Sequence, residues 1–166
     1  MFREPCTGHW NREGFPAIEI AKAVPSCQVV GIDVWDRPAG GEIHKGFIIG
    51  NSKKNAERNA LLEQVKDRVE FRQCDARQMP FESGSFDALV SFAALHQMVY
   101  FGADGDRVLR EIHRVLKPGG RFVDVDVMIG HRTIEKVQEL RFKEIQFREL
   151  RRFPFFLKLL SAIKSQ

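Results

Sequence analysis

The chain of 166 residues predicts an α/β fold: a doubly wound, mainly parallel sheet that closes on a C-terminal antiparallel strand pair. Three observations carry this. Short runs rich in β-branched residues alternate with longer segments whose apolar residues recur at helical spacing, the order of βα units rather than of a sandwich or a bundle. Two of the runs stop on a carboxylate, at Asp33 and at Asp75, and open α/β sheets take their ligands at the carboxyl ends of parallel strands. Finally, Lys117-Pro118-Gly119-Gly120 separates an amphipathic stretch from a strictly alternating one, proline and glycine falling just past a helix end.

A hydrophobic content of 43% supports one cored domain over residues 1–166. No run approaches ~18 uninterrupted apolar residues, so no membrane span is expected, nor is a signal peptide. Cys6, Cys27 and Cys74 are odd in number and form no CxxC pair, which suggests neither a disulfide framework nor a zinc site. The expected setting is reducing and cytoplasmic. The net charge of +4 is uneven, because residues 131–166 hold nine Lys/Arg against four Asp/Glu. Such a segment can meet nucleic acid or anionic lipid, but intermixed acids more often mark a solvated face.

Residues 1–15 carry no strand pattern and are punctuated by Pro5, Gly8 and Gly14. A helix is predicted over Pro16–Val24, with Ala17, Ile18, Ile20, Ala21 and Val24 on its apolar stripe and proline at its first position. Val29-Val30-Gly31-Ile32-Asp33 reads as a buried strand. The Gly- and Pro-rich connection 35–50 is long enough to cover a site. A helix over Lys53–Gln64, capped by Asn51 or Ser52, leads to an alternating strand, Val69–Cys74, that ends at Asp75. Phe86–Phe92 is a third strand, Asp106–Leu116 a helix with Val108, Leu109, Ile112 and Val115 on one face, and Arg121–Val127 a fourth strand. Thr133–Leu140 reads as a helix. The basic stretches 143–150 and 155–163 suit either an amphipathic helix or two strands, and Ile145, Phe147, Phe155 and Phe156 favour the antiparallel pair.

In this order the residues resemble the class I S-adenosylmethionine-dependent methyltransferases, of the small-molecule or ubiquinone-biosynthesis-like kind, a Rossmann-like fold. Val29–Asp33 looks like that family's second strand with its ribose-binding acid. Gln73-Cys74-Asp75-Ala76 resembles the strand end whose acid meets the adenine amino group. Phe81-Glu82-Ser83-Gly84-Ser85-Phe86-Asp87 resembles the approach to the fourth strand, and Ser91 to His96 the loop facing the methyl group. The closest match is Arg110-Glu111-Ile112-His113-Arg114-Val115-Leu116-Lys117-Pro118-Gly119-Gly120-Arg121.

The resemblance implies S-adenosylmethionine as cofactor, S-adenosylhomocysteine as product and a small-molecule acceptor. It implies cofactor contacts from Thr7, Gly8, Asp33, Val34, Trp35, Asp75, Ala76 and Ser91. Since the methyl group arrives already activated, the protein need only bind, align and desolvate. His96 is the candidate general base. Trp35 can pack on adenine or belong to the core. No metal is expected: Asp124 and Asp126 share one strand face, read as an exposed or helix-facing polar side. His113 is expected to face solvent.

One departure stands out. The family opens with a central strand and a GxGxG turn, whereas here Cys6-Thr7-Gly8-His9-Trp10 resembles only the end of such a turn. The first strand is therefore expected to be absent, through truncation or a shortened start. That leaves an open strand edge through which a homo-oligomer or another partner could complete the sheet, so a non-catalytic interaction domain is the alternative function. A nucleic-acid methyltransferase ranks last, because Ser91-Phe92-Ala93-Ala94 stands where many amino-directed nucleic-acid methylases carry an Asn-Pro-Pro-Tyr type of motif.

Overall fold

The computed structural model describes residues 14–35, 52–99, 105–152 and 155–166. The chain forms two compact units, Met1–Gln73 and Cys74–Gln166. Both are α/β: parallel strand pairs occur in each, and an antiparallel pair closes the second.

In the first unit α1 (Phe15–Ala23) precedes β1 (Val29–Asp33), and α2 (Lys53–Leu62) precedes β2 (Val69–Gln73). The strands are parallel and in register from Val29–Val69 to Asp33–Gln73. Apolar side chains from all four elements, among them Ala17, Ile18, Ala21, Ala56, Ala60 and Phe71, make one core. Small residues are needed there because the Phe71 ring comes close to the backbone at Gly14 and Gly31. A Cβ on Gly31 would meet Phe71 Cδ1 at 2.8 Å and Ala17 Cβ at 3.3 Å, and one on Gly14 would run into Phe71 Cζ. Gly14 also has a φ of 82° as the residue before α1, a conformation that favours glycine. Gly31→Ala is therefore expected to cost about 1–3 kcal/mol through overpacking, measured by urea unfolding. A neutral result would mean that Phe71 repacks freely.

The second unit is built on a four-stranded sheet of order β3-β4-β6-β5, from β3 (Phe86–Phe92), β4 (Leu116–Asp126), β5 (Phe142–Arg152) and β6 (Phe155–Lys164). β3 and β4 are parallel, and β6 runs antiparallel to both β4 and β5. Helix α4 (Gly105–Val115) buries Val108, Leu109, Ile112 and Val115, the stripe expected from the sequence. Its C-terminal end is capped from β6: Lys164 Nζ donates to His113 O in the last turn at 2.7 Å and to Leu116 O, the residue after the helix, at 2.8 Å, placing a cation at the negative end of the helix. Helix α5 (His131–Glu139) precedes the closing pair. The tail is thus a helix and two antiparallel strands.

Three details differ from expectation, and a fourth decides between two alternatives. β4 begins at Leu116 rather than Arg121, and Lys117–Gly120 bulges from its ladder: Phe86 pairs with Leu116, and the next pair is Ala88 with Arg121. Gly119 takes φ 77° there, and a Cβ on Gly120 would meet Lys117 O at 2.8 Å, so two glycines make the excursion possible. A short helix, α3 (Leu95–Val99), follows β3 where no element was expected. His113 does not face solvent: it packs edge-on against Phe142, ring centroids 5.2 Å apart, and burial lowers its pKa, helped by Lys164. Of the two alternatives for Asp124 and Asp126, exposed or helix-facing, the exposed one is ruled out, the two being 1% and 0% exposed.

Candidate functional site

Asp33 ends β1 opposite Gln73 of β2. Its Oδ1 accepts the Val34 N–H at 2.6 Å, and the side chain remains half-buried. Trp35 is drawn inward: it is buried, stands edge-on to Phe71 with centroids 5.8 Å apart, and donates its indole N–H to Arg72 O at 3.2 Å. Val34 is half-buried between them in sequence. Thr7 and Gly8 lie outside the described residues, as does most of the 35–50 connection.

In the second unit Asp75 is held by Arg77. Its carboxylate accepts the Arg77 backbone N–H at 2.9 Å and the guanidinium through Nε (2.9 Å) and Nη2 (2.6 Å). Both side chains are 38% exposed, and Ala76 beside them is half-buried. The loop that follows is clamped by α4. Arg114 donates to Phe81 O at 2.7 Å and Met79 O at 2.9 Å, while Glu111 accepts the Met79 N–H at 2.8 Å. The two side chains also pair with each other, Nε to Oε1 at 2.7 Å and Nη2 to Oε2 at 2.8 Å. This pairing, with the Met79 N–H, holds the Glu111 carboxyl below its ordinary pKa. The Glu111–Arg114 pair therefore gives the best-matched sequence segment a physical purpose: it fixes the loop running on from Asp75-Ala76. Arg114→Met should remove both carbonyl contacts and leave Glu111 without its cation, costing about 2–3 kcal/mol. Chemical denaturation measures this, and a loss under about 0.5 kcal/mol would mean that the loop holds without the clamp.

A polar cluster occupies the carboxyl ends of β3 and β4. Ser91 pairs in register with Asp124, and Asp126 lies two residues on, on the same strand face. Asp126 accepts the His96 backbone N–H through Oδ2 at 3.1 Å, holding the start of α3, and the Val127 N–H through Oδ1 at 2.6 Å. The His96 Nδ1 lies 2.7 Å from Asp126 Oδ1. Between β3 and α3, Ala93 takes φ 48°, left-handed for a residue with a Cβ, while its N–H donates to Val125 O at 2.8 Å. Ser91 Oγ and Asp124 Oδ1 are buried without a hydrogen-bond partner among the described residues.

Burial, reinforced by the charge on Asp126, pushes the Asp124 carboxyl up to about 7, with Ser91 and His96 pulling the other way. An unfolded aspartate titrates near ~3.9, so between these values the folded state holds a proton that the unfolded chain has lost. Stability should accordingly fall as pH rises from about 4 to 7. Asp124→Asn, uncharged throughout, is expected to melt several degrees above wild type at pH 8 and level with it near pH 4. A difference independent of pH would contradict this assignment.

Sequence reasoning singled out Asp33, Asp75, Ser91 and His96, and the last two fall in one cluster. It missed Asp126 as their partner, although a carboxylate ending an alternating strand was the same signal that drew attention to Asp33. It also missed the Glu111–Arg114 clamp, visible as an acid and a base three apart on one helix.

Parallel strands carrying carboxylates at their carboxyl ends define a ligand-binding α/β protein. A sequence profile described as "Methyltransferase domain" matches residues 12–124, most of the chain, and the protein belongs to this family, the class I S-adenosylmethionine-dependent methyltransferases. The demethylmenaquinone methyltransferase of Lactococcus lactis subsp. lactis (strain IL1403) is 33% identical over 143 residues, covering 84% of this chain and 46% of that protein. The ubiquinone/menaquinone biosynthesis C-methyltransferase UbiE of Brucella canis (strain ATCC 23365 / NCTC 10854 / RM-666) is 30% identical over 115 residues, 68% of this chain and 40% of that one. The chain thus spans less than half the length of these curated relatives. Among solved structures, a geranyl diphosphate methyltransferase in complex with SAM superposes with a TM-score of 0.67 at 15% identity, over 94% of this chain and 76% of that one, a likeness of fold.

Proposed function

We propose that the chain binds S-adenosylmethionine and transfers its methyl group to a small-molecule acceptor, acting as one methyltransferase domain over residues 1–166. The observation that carries this reading is Asp33, an acceptor-only carboxylate at the carboxyl end of a parallel strand, in a chain of this family. The donor sets agree with the ligand. A ribose offers two hydroxyl donors to Asp33, and an adenine amino group offers N–H to Asp75, whose half-exposed carboxylate keeps room beside the Arg77 fork. Ala76 would line the base, Val34 and Trp35 would support the ribose end, and Ser91 has a buried hydroxyl to contribute. Thr7 and Gly8 would meet the methionine portion. When bound, the cofactor supplies an electrophilic methyl group. The protein's part is then to orient the acceptor, exclude water and, through His96, accept a proton.

The test is to incubate the purified chain with methyl-tritiated S-adenosylmethionine and a cell extract, then separate small molecules, protein and nucleic acid. Label is expected in the small-molecule fraction. Label confined to nucleic acid or protein would overturn the acceptor class.

A further inference from the structure

We propose that the hairpin end of the second unit, together with the turn that follows β4, is a contact surface for an anionic lipid bilayer. The inference is independent of the methyl-transfer reading above.

The surface is laid out by strand register. Asp126, the last residue of β4, pairs with Lys158 of β6, and Lys158 pairs with Glu149 of β5. The exit of β4, the start of β6 and the end of β5 therefore lie side by side, about 10 Å from first to last across two strand spacings. Lys158 ties them together: its Nζ donates to Ile129 O at 3.3 Å and stands 5.9 Å from the centroid of the Phe147 ring. Around this row large apolar side chains are open to solvent, Val127, Met128, Phe147 and Leu150 each being 38–42% exposed. Phe147 pairs with Leu160 and Leu150 with Leu157, so Phe147 and Leu150 stand on opposite faces of the sheet. A helix or a second sheet laid on one face covers only one of them. A medium that surrounds the end of the sheet covers both.

The charge of this end says which medium. Residues 147–158 hold Arg148, Arg151, Arg152 and Lys158 against Glu149 alone, interleaved with phenylalanine and leucine. The strands pair as far as Arg151–Phe156 and Arg152–Phe155, which brings cations and aromatic residues to the same extremity. The other acids of the basic tail are spent elsewhere: Glu139 accepts from Lys136 at 2.7 Å, and Glu144 lies where the β5–β6 register shifts, away from the hairpin end. Cations at such an end attract anionic headgroups while aromatic and aliphatic side chains enter the interface beneath them. A second copy of the chain would set cations against cations. Nucleic acid would use the cations and the rings, but it offers nothing to the aliphatic Val127, Met128 and Leu150. Among the described residues no helix is long and apolar enough to cross a membrane, so the contact is peripheral. It turns the carboxyl end of β4, beside the Ser91–Asp126 cluster, toward the bilayer.

Vesicle flotation of the full chain tests this. The chain is expected to float with phosphatidylcholine vesicles that contain about 30% phosphatidylglycerol, and to bind pure phosphatidylcholine at least about tenfold more weakly. Raising the salt from about 0.1 to about 0.5 M should release it. Arg148→Glu and Leu150→Asp, both at exposed positions, should each weaken binding by about tenfold or more. Lys54→Glu makes the same change of charge at an exposed position of α2 and should leave binding within about twofold. No flotation with either vesicle from a folded chain would overturn the proposal. Equal losses in Arg148→Glu and Lys54→Glu would do so too, since net charge alone would then explain the binding. Binding to a single-stranded oligonucleotide but not to vesicles would give the surface to nucleic acid. A dimer that Leu150→Asp dissociates, without flotation, would give it to a second copy.

Discussion

Asp33→Ala is expected to weaken S-adenosylhomocysteine binding about 100-fold while the melting temperature stays within about 2 °C of wild type. Each hydrogen bond to a charged group contributes roughly 1.5–3 kcal/mol. Losing both ribose contacts therefore amounts to about 3 kcal/mol or more of binding, and tenfold in affinity corresponds to about 1.4 kcal/mol. The fold should be little affected. The Asp33 carboxylate accepts the N–H of the adjoining Val34, a local contact, and the side chain is only half-buried at the end of β1. Equilibrium dialysis with labelled ligand measures the first quantity and thermal denaturation the second. Unchanged affinity would take Asp33 out of the site. Equal losses of affinity and of stability would make it a structural acid.

The second large effect concerns the sheet of the second unit. Phe122 is 0% exposed and sits within β4, between Leu89 of β3 and Ala162 of β6. Its ring packs at a tilt on Phe142 of β5, centroids 5.9 Å apart. With neighbours on three strands held by backbone pairing, the site has little means of collapsing around a lost ring. Phe122→Ala should therefore cost about 3–5 kcal/mol and lower the melting temperature by on the order of 10 °C. Phe122→Leu, which refills most of the volume, should recover more than half of that. A cost below about 1 kcal/mol would mean that β4 is not the centre of this sheet.

Much of this was legible in the chain because the relevant information is local. The β-branched run ending at Asp33, the stripe Val108–Leu109–Ile112–Val115, and the alternation from Arg121 onward each declare an element within a dozen residues. What stayed hidden is held together across the sequence. Helix α3 has only Leu95–Val99 to mark it, and its first turn is anchored by Asp126, some thirty residues later. His113 was expected to face solvent, but it is half-buried, and the ring packed edge-on against it, Phe142, comes from β5.

For Asp124 and Asp126 the sequence leaves an exposed and a helix-facing side open. Strict alternation already put them on the face of Phe122, the buried one. Periodicity decides between the two, and the burial is made tolerable by the backbone donors on Asp126 and the raised pKa of Asp124. The 117–120 bulge shows the same competition. Proline and glycine announced a turn, and the turn is there, but pairing of Leu116 with Phe86 starts β4 ahead of it.

The central claim is that this chain holds an adenosyl cofactor, and a thermal-shift titration with S-adenosylhomocysteine tests it most directly. Binding to the folded state at ~100 times the dissociation constant should add about 2.7 kcal/mol of stability, a rise of several degrees that saturates and is displaced by S-adenosylmethionine without a further rise. A cooperatively folded chain whose melting temperature does not move at millimolar ligand would contradict the account.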